Sequence, residues 1–398
     1  MKACIRRGAN QIGGSAVEII ADNQQRLIID IGLPLDAEEN TQDLLPQIDG
    51  LKHKTPDLLG ILISHPHQDH YALGLHIDKD IPVFMSHATS KIMEVATQHN
   101  IPDAFVFSNI NIFENQKSFK IGNFNITPYL VDHSAYDAYA FLIEADGKRL
   151  FYSGDFRAHG RKSKLFESFI KNPPQHIDTL LIEGSCLGRD KSEQYESETA
   201  LEEKFFDIFK QTRGISLIQT SSQNIDRIVT IYRACKKSNR TLVMSGYTGH
   251  ILQCLENSHL PNFTWPDVKK MSQSVTRKHE ISVEMIEKSP DKYTILLGGQ
   301  MFNMLKNSFL LNNEASFIYS MWDGYKELYK ERLELIQNKG VNMFDIHTSG
   351  HADIPSLQKF ASALNPHQLV PIHTFLPQEF KKLFNNVVIY EDNQIFTI

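Results

Sequence analysis

The stretch SHPHQDHYALG, residues 64–74, places three histidines and an aspartate within the six positions 65–70. It follows PDLLGILI (56–63), a continuous apolar run of strand length. His65, His67, Asp69 and His70 therefore occupy a tight turn that leaves a buried strand. Imidazole and carboxylate suit zinc, manganese or iron. His65 and His67 alternate and can point one way, whereas Asp69 and His70 on the turn can point another. Such a set fits two adjacent ions better than one, each completed by ligands from elsewhere in the chain. The alternative is a solvated turn that happens to be rich in histidine.

Working outward, a chain of 398 residues is expected to form about two domains. The formal net charge of −6 leaves no general basic footprint for nucleic acid, so such a partner would have to be held by a local groove. Cys4, Cys186, Cys235 and Cys254 lie far apart with no CxxC pair. That argues against a disulfide framework or a cysteine zinc site and fits a reducing compartment. The start, MKACIRRGANQIGG, lacks a long apolar run, and no window approaches the ~20 apolar residues of a membrane helix. A cytoplasmic protein with no membrane partner is expected.

Several apolar runs end in a polar residue. RLIIDIG (26–32), LFYSGD (150–155) and DTLLIEGS (178–185) repeat the pattern of the opening stretch. Layered α/β folds gather their sites on the loops at such strand ends. AVEIIA and RLIIDIG are joined at DNQQ as a hairpin, and AYAFLIEADGKRLFYSGD is another, turning at Asp146-Gly147. RDKSEQYESET (189–199) reads as a linker or the start of a helix. Helices and strands then alternate: ALEEKFFDIFKQ, GISLIQTSS, QNIDRIVTIYRACKKS, TLVMSG, YTILLGGQ, and a helix YKELYKERLELIQNKG closed by Gly340. The tail again carries histidines at strand ends. The expected organisation is a first domain over 1–187, an inserted α/β domain over 188–340, and completion of the first domain by 341–398.

HxHxDH after a strand resembles the metallo-β-lactamase fold, an αββα sandwich, and further residues fall where that family carries its motifs. Asp30 matches an aspartate that orients the site without touching metal, His133 in VDHSAYDA a metal ligand, and Asp155 in YSGDFR the carboxylate between two metals. The insertion and tail resemble the β-CASP subgroup, whose extra motifs are matched by Glu183 in LLIEGS, His351 in HTSGHAD and His373 in LVPIHTF. The resemblance covers the whole chain and extends to ribonuclease J-like members. Those members continue into a carboxy-terminal domain where this sequence ends, so their oligomer and processivity are not carried over; a homodimer is left open.

This resemblance implies two divalent ions, zinc foremost and manganese as the alternative. His65, His67 and His133 would hold one and Asp69, His70 and His373 the other, with Asp155 bridging. Two ions about 3.5–4 Å apart clamp a scissile phosphate, and a coordinated water whose pKa falls from 15.7 towards ~7 supplies hydroxide as the nucleophile. Asp69 or Asp155 is the candidate acceptor of the water's proton, and His351, oriented by Glu183, the candidate donor to the leaving oxygen. The histidine at 373 leans to RNA within the resemblance, with DNA or a thioester or lactone as alternative substrates. DIPSLQKFASAL reads as a helix whose amino terminus, preceded by Ser349 and Gly350, makes an anion cradle, or as a simple capped helix. His347 is a further candidate phosphate contact or a structural hydrogen-bonder. Ser221 and Ser222 in TSSQNIDR are weaker phosphate candidates, or helix caps. Basic residues in VKKM and TRKHE are candidate groove-lining residues or a solvated face. In LLGGQMFNML, Gly298 and Gly299 stand where a charged, substrate-touching side chain is expected, and would allow close backbone approach.

Overall fold

The structure is a computed structural model that describes residues 1–189 and 194–398. Residues 190–193, within the charged segment read above as a linker or helix start, lie outside the described residues. The chain divides into two compact units, Met1–Tyr195 with Gly350–Ile398, and Glu196–Ser349.

The first unit is built from two sheets. In one, strands run in the order Ile395–Thr397, Lys2–Arg7, Ala16–Ile20, Arg26–Ile29, Leu58–Leu62, Val83–Ser86, Ile110–Phe113. In the other the order is Gln368–Ile372, Thr179–Glu183, Lys148–Tyr152, Ala138–Ala145, Phe124–Val131, Phe119–Ile121. Alternation along the strands explains why the two sheets face each other. Leu27 and Ile29 join Phe141, Ile143, Leu150 and Tyr152 in the core between the sheets. Ile28 points out to a second core with Leu73 and Met93. On the other side, Leu142 and Phe151 meet Phe169 of helix Ser163–Lys171 and Leu357 and Phe360 of helix Ile354–Leu364. Both sheet faces are covered, which gives the αββα layering. Both hairpins read from the sequence form, one with Ile20 opposite Arg26, the other turning at Asp146 and Gly147 with φ of 54° and 71°.

The carboxy-terminal return completes both sheets. Gln368–Ile372 pairs in parallel with Thr179–Glu183, and Ile395–Thr397 pairs antiparallel with Lys2–Arg7.

In the second unit every strand pairing is parallel, in the order Glu280–Ile281, Val268–Met271, Thr241–Met244, Tyr293–Leu296, Ser216–Gln219, Ser316–Tyr319, Asn342–Asp345. Two expectations shift here. The unit runs to Ser349 instead of 340, because Asn342–Asp345 adds a strand beside Ser316–Tyr319. The expected helix from Tyr325 is α-helical only over Lys330–Asn338, preceded by two short 3-10 turns, and Gly340 follows it at φ 77°. Among the described residues no disulfide joins any of the four cysteines, and no helix is long and apolar enough to cross a membrane.

Candidate metal centre

Strand ends bring the histidines and carboxylates of the first unit together. Asp30, His133 and Asp155 follow the strands ending at Ile29, Val131 and Tyr152, Glu183 closes its own strand, and His373 follows Ile372. After Leu62 the chain passes His65 and enters a short helix, Gln68–Tyr71, that carries Asp69 and His70. Close approach holds this helix down. Ile31 N–H donates to the His70 carbonyl and Ser15 N–H to that of Asp69, at 2.8 and 3.1 Å. A Cβ on Gly32 would lie 1.7 Å from the Asp69 carbonyl oxygen, so only glycine fits there.

At the centre lies Asp155. Its Oδ2 is 3.2 Å from His70 Nε2, 3.7 Å from both His373 Nε2 and His351 Nδ1, and 3.9 Å from His65 Nε2. Asp69 Oδ2 lies 3.7 and 3.8 Å from His70 Nε2 and His373 Nε2. His133 Nε2 and His67 Nδ1 approach to 3.2 Å. Ligand atoms of His65, His67 and His133 converge within 4.8 Å, as do those of His65, His70 and Asp155, of Asp69, His70 and His373, and of Asp155, His351 and His373.

These nitrogens have the character of ligands. The Nε2 atoms of His65, His70 and His373 are buried without a hydrogen-bond partner. Orphaned polar atoms aimed at one space are costly unless something binds them. Their other ring nitrogens are engaged. His70 Nδ1 lies 2.8 Å from Asp30 Oδ2, His373 Nδ1 2.8 Å from Ser15 Oγ, and His65 Nδ1 3.0 Å from Ser64 Oγ. His133 Nδ1 donates to the Gly350 carbonyl at 2.6 Å. Contacts of this kind fix the ring orientation of a metal-binding histidine. Burial lowers the pKa of His65, His133 and His373, and brings His67 down to about 4, so these rings are neutral at neutral pH. Burial opposes protonation of His70 too, but Asp155, Asp69 and Asp30 outweigh it and raise its pKa well above the ordinary value. Burial likewise raises Asp155, yet His373, His70 and His351 hold it well below the carboxylate range.

Glu183 is buried and held by the backbone. It accepts from Ser185 N–H at 3.1 Å and from Ala352 and Phe156 N–H at 3.3 and 3.4 Å, and its Oε2 lies 3.3 Å from His351 Nδ1. Against burial, Glu183 and Asp155 raise the pKa of His351. Asp69 and His351 are 16% and 19% exposed, whereas His65, His70 and Asp155 are sealed, so the cage opens past Asp69 and His351.

The expected phosphate residues fare differently. Gly350 serves His133 through its carbonyl, and a Cβ there would meet Ser134 Oγ at 2.4 Å. The amino terminus of helix Ile354–Leu364 is not an open cradle. Asp353 Oδ1 takes the Ser356 N–H at 2.9 Å, so the chain's own carboxylate occupies it. His347 and Ser349 belong to the second unit, the former exposed and the latter partly so. Also in that unit, Ser221 accepts the Gln223 N–H at 3.2 Å, Ser222 Oγ meets Thr248 Oγ1 at 2.8 Å, and Asn224 caps the helix. In VKKM, Lys269 donates to the Lys278 carbonyl and Lys270 lies 3.7 Å from Glu280.

Other supports carry little mark in the sequence. Asp30 also accepts from Tyr152 O–H at 2.8 Å. Asp132, beside His133, lies 3.2 Å from Arg157 in a fully buried pair that ties two site loops together. Ser64 adjoins the opening motif and could have been noticed there. Ser15 has no local signal.

Comparison with known families agrees with this geometry. A model described as the beta-lactamase superfamily domain matches residues 26–212. Residues 26–212 are thus similar to a metallo-β-lactamase superfamily domain. The chain is similar to ribonuclease J proteins, as the β-CASP resemblance in the sequence led one to expect. The Zn-dependent metallo-hydrolase RNA specificity domain matches residues 340–376, which contain His347, His351 and His373. Ribonuclease J of Mycoplasma pneumoniae is 22% identical over 388 residues, covering 92% of this chain and 66% of that protein. Ribonuclease J of Mycoplasma genitalium is 23% identical over 394 residues, with the same coverages. That of Helicobacter pylori strain B128 is 22% identical over 398 residues, covering 92% and 55%. This chain thus spans just under two thirds of the first two relatives and about half of the third. A crystal structure of a protein of unknown function from Enterococcus faecalis V583 superposes with a TM-score of 0.82 at 20% identity, covering 100% of this chain and 99% of that one, which shows a shared fold.

Proposed function

We propose that this chain is a metal-dependent phosphodiester hydrolase acting on RNA. The observation that carries the reading is the set of orphaned, buried imidazole nitrogens around Asp155, with the Glu183–His351 pair at its open edge. His65, His67 and His133 would hold one divalent ion and Asp69, His70 and His373 a second, with Asp155 between; nitrogen and carboxylate donors suit zinc first and manganese also. Ions bound there polarise phosphoryl oxygens and lower the pKa of water. The side chains do the rest. Asp69, partly exposed at the opening, accepts the proton of the attacking water. His351, kept protonated by Glu183, gives one to the leaving oxygen. The match to an RNA specificity domain and the names of the relatives favour RNA over DNA.

The test is incubation of the metal-loaded chain with end-labelled RNA and DNA of one sequence, 5′-phosphorylated or 5′-hydroxyl, which also reads endo- against 5′-exonucleolytic cutting. Asp69→Ala should lose metal and cutting together. His351→Ala should keep metal and lose about 10²–10⁴-fold in rate. Hydrolysis of a thioester or lactone with neither polymer cut would overturn the reading.

A further inference from the structure

The second unit holds a cation that its own fold does not neutralise. Most charged side chains around it are paired: Lys326 lies 2.9 Å from both Asp323 and Asp345, and Lys330 3.0 Å from Glu327. Arg332 is different. It is half-buried, its guanidinium stacked 4.9 Å from the centre of the Phe302 ring and 5.1 Å from that of Tyr329. Among the described residues its one hydrogen bond runs from Nη1 to Gln219 Oε1 at 2.5 Å. No carboxylate forms an ion pair with it among the described residues. A guanidinium has five N–H donors in a planar fork matched to carboxylate or phosphate. Here two rings and an amide fix that fork, yet most of its donors lack an acceptor among the described residues. Burial pushes its pKa below the ordinary arginine value, so the fold holds this charge against a penalty.

From helix Lys330–Asn338, Arg332 reaches Gln219 at the carboxyl end of a strand, where ligands bind in such sheets. Ser216–Gln219 and Tyr293–Leu296 are parallel neighbours. The connection from the first runs through helix Ile225–Lys237 to Thr241–Met244 on one side. That from the second runs through helix Gly299–Leu305 to Ser316–Tyr319 on the other. Each connection runs past the other's strand, in opposite directions along the sheet, and the crevice beside Arg332 lies beyond the carboxyl ends of the two strands. Gln219 lies at the end of one and Gly298 just beyond the other. A Cβ on Gly298 would meet nothing within 4 Å, and one on Gly299 would lie 3.9 Å from Arg332 Nη2. The space beside the guanidinium is therefore open, and no packing within the chain requires the glycines.

We propose that this crevice is a phosphate subsite for single-stranded RNA, in which Arg332, seated by Gln219, Phe302 and Tyr329, takes a backbone phosphate that lies in the space beside Gly298. The proposal rests on the RNA-hydrolase reading. It supplies, from helix Lys330–Asn338, the charge expected in the LLGGQMFNML stretch, and explains why glycine can stand there.

The test uses the metal-loaded full chain carrying His351→Ala to stop cleavage, and a fluorescent single-stranded RNA whose anisotropy is followed over a range of salt. Adding Arg332→Met, which keeps the aliphatic stem against the rings, should weaken binding roughly tenfold or more. It should also reduce the slope of log K against log salt by about 0.7, one fewer phosphate contact on a single strand. Arg332→Lys should keep that slope. Gln219→Glu gives Arg332 the carboxylate it lacks while preserving its seat, and should lower affinity by the same route even if Arg332→Met folds poorly. Unchanged affinity and slope in both Arg332→Met and Gln219→Glu, with the parent binding RNA, would overturn the subsite and leave the hydrolase standing. A parent that binds 5′-AMP or inorganic phosphate but no RNA would overturn both.

Discussion

Asp30→Asn separates orientation of the metal site from ligation. Asp30 is fully buried and accepts four hydrogen bonds, each 2.8 Å long: Ser64 N–H on Oδ1, and Ser64 O–H, His70 Nδ1–H and Tyr152 O–H on Oδ2. Asparagine has the same shape but only one acceptor oxygen. If that oxygen takes the position serving three donors, the amide NH2 must face the Ser64 N–H. One buried backbone donor is then unsatisfied, at about 1–3 kcal/mol in stability. The His70 ring keeps a partner but loses the charge that holds it. Loss of such a support weakens metal binding by about 10–100-fold, or about 1.4–2.7 kcal/mol. Metal bound only by the folded chain stabilises it through that affinity, so the metal-induced gain in unfolding free energy should shrink by the same ~1.4–2.7 kcal/mol. Competition for zinc against a chromophoric chelator, with denaturant unfolding with and without metal, measures both numbers. If Asp30→Asn binds zinc as tightly as the parent, Asp30 does not orient His70 for metal, and the reasoning fails.

Gly32→Ala should displace the Asp69–His70 segment, because its Cβ would overlap the Asp69 carbonyl at 1.7 Å; equilibrium dialysis should show weakened metal binding, and parental affinity would contradict the close approach. Metal loading should release a proton, since His70 is held protonated by Asp155, Asp69 and Asp30 while His67, at about 4, is already neutral. Affinity should accordingly rise with pH through the elevated His70 value, and uptake without proton release in weak buffer would refute this. In the metal-free chain the sign for stability is opposite: the His70 ion pair contributes fully below the ordinary histidine pKa and is lost as pH rises through the elevated one. In the second unit, Glu198→Ala should cost about 3–5 kcal/mol by stranding the buried Arg227, whose Nη2 donates to Glu198 at 2.9 Å; urea unfolding would show it, and a loss within error would mean the pair is solvated.

What the sequence revealed and what it concealed divide along a physical line. The residues of the cage are imidazoles and carboxylates at the ends of apolar runs, and both the chemistry and the run are visible in the letters. Gly350 acts through a carbonyl that every residue has, so nothing in TSGHA distinguishes a phosphate contact from a support for His133. Ser15 reaches His373 across 358 positions, a distance over which one serine resembles any other. The strand Asn342–Asp345 is exposed at all four positions, so no alternation announced it, and the end of the second unit was read nine residues early. The amino terminus of helix Ile354–Leu364 teaches a sharper rule. Free N–H groups at a helix start attract a phosphate and a capping aspartate for the same reason, and the two compete. An aspartate at the cap position, as Asp353 is, signals that the donors are already served, and the search for a phosphate should move to cations left without a carboxylate. In this chain that search leads to Arg332.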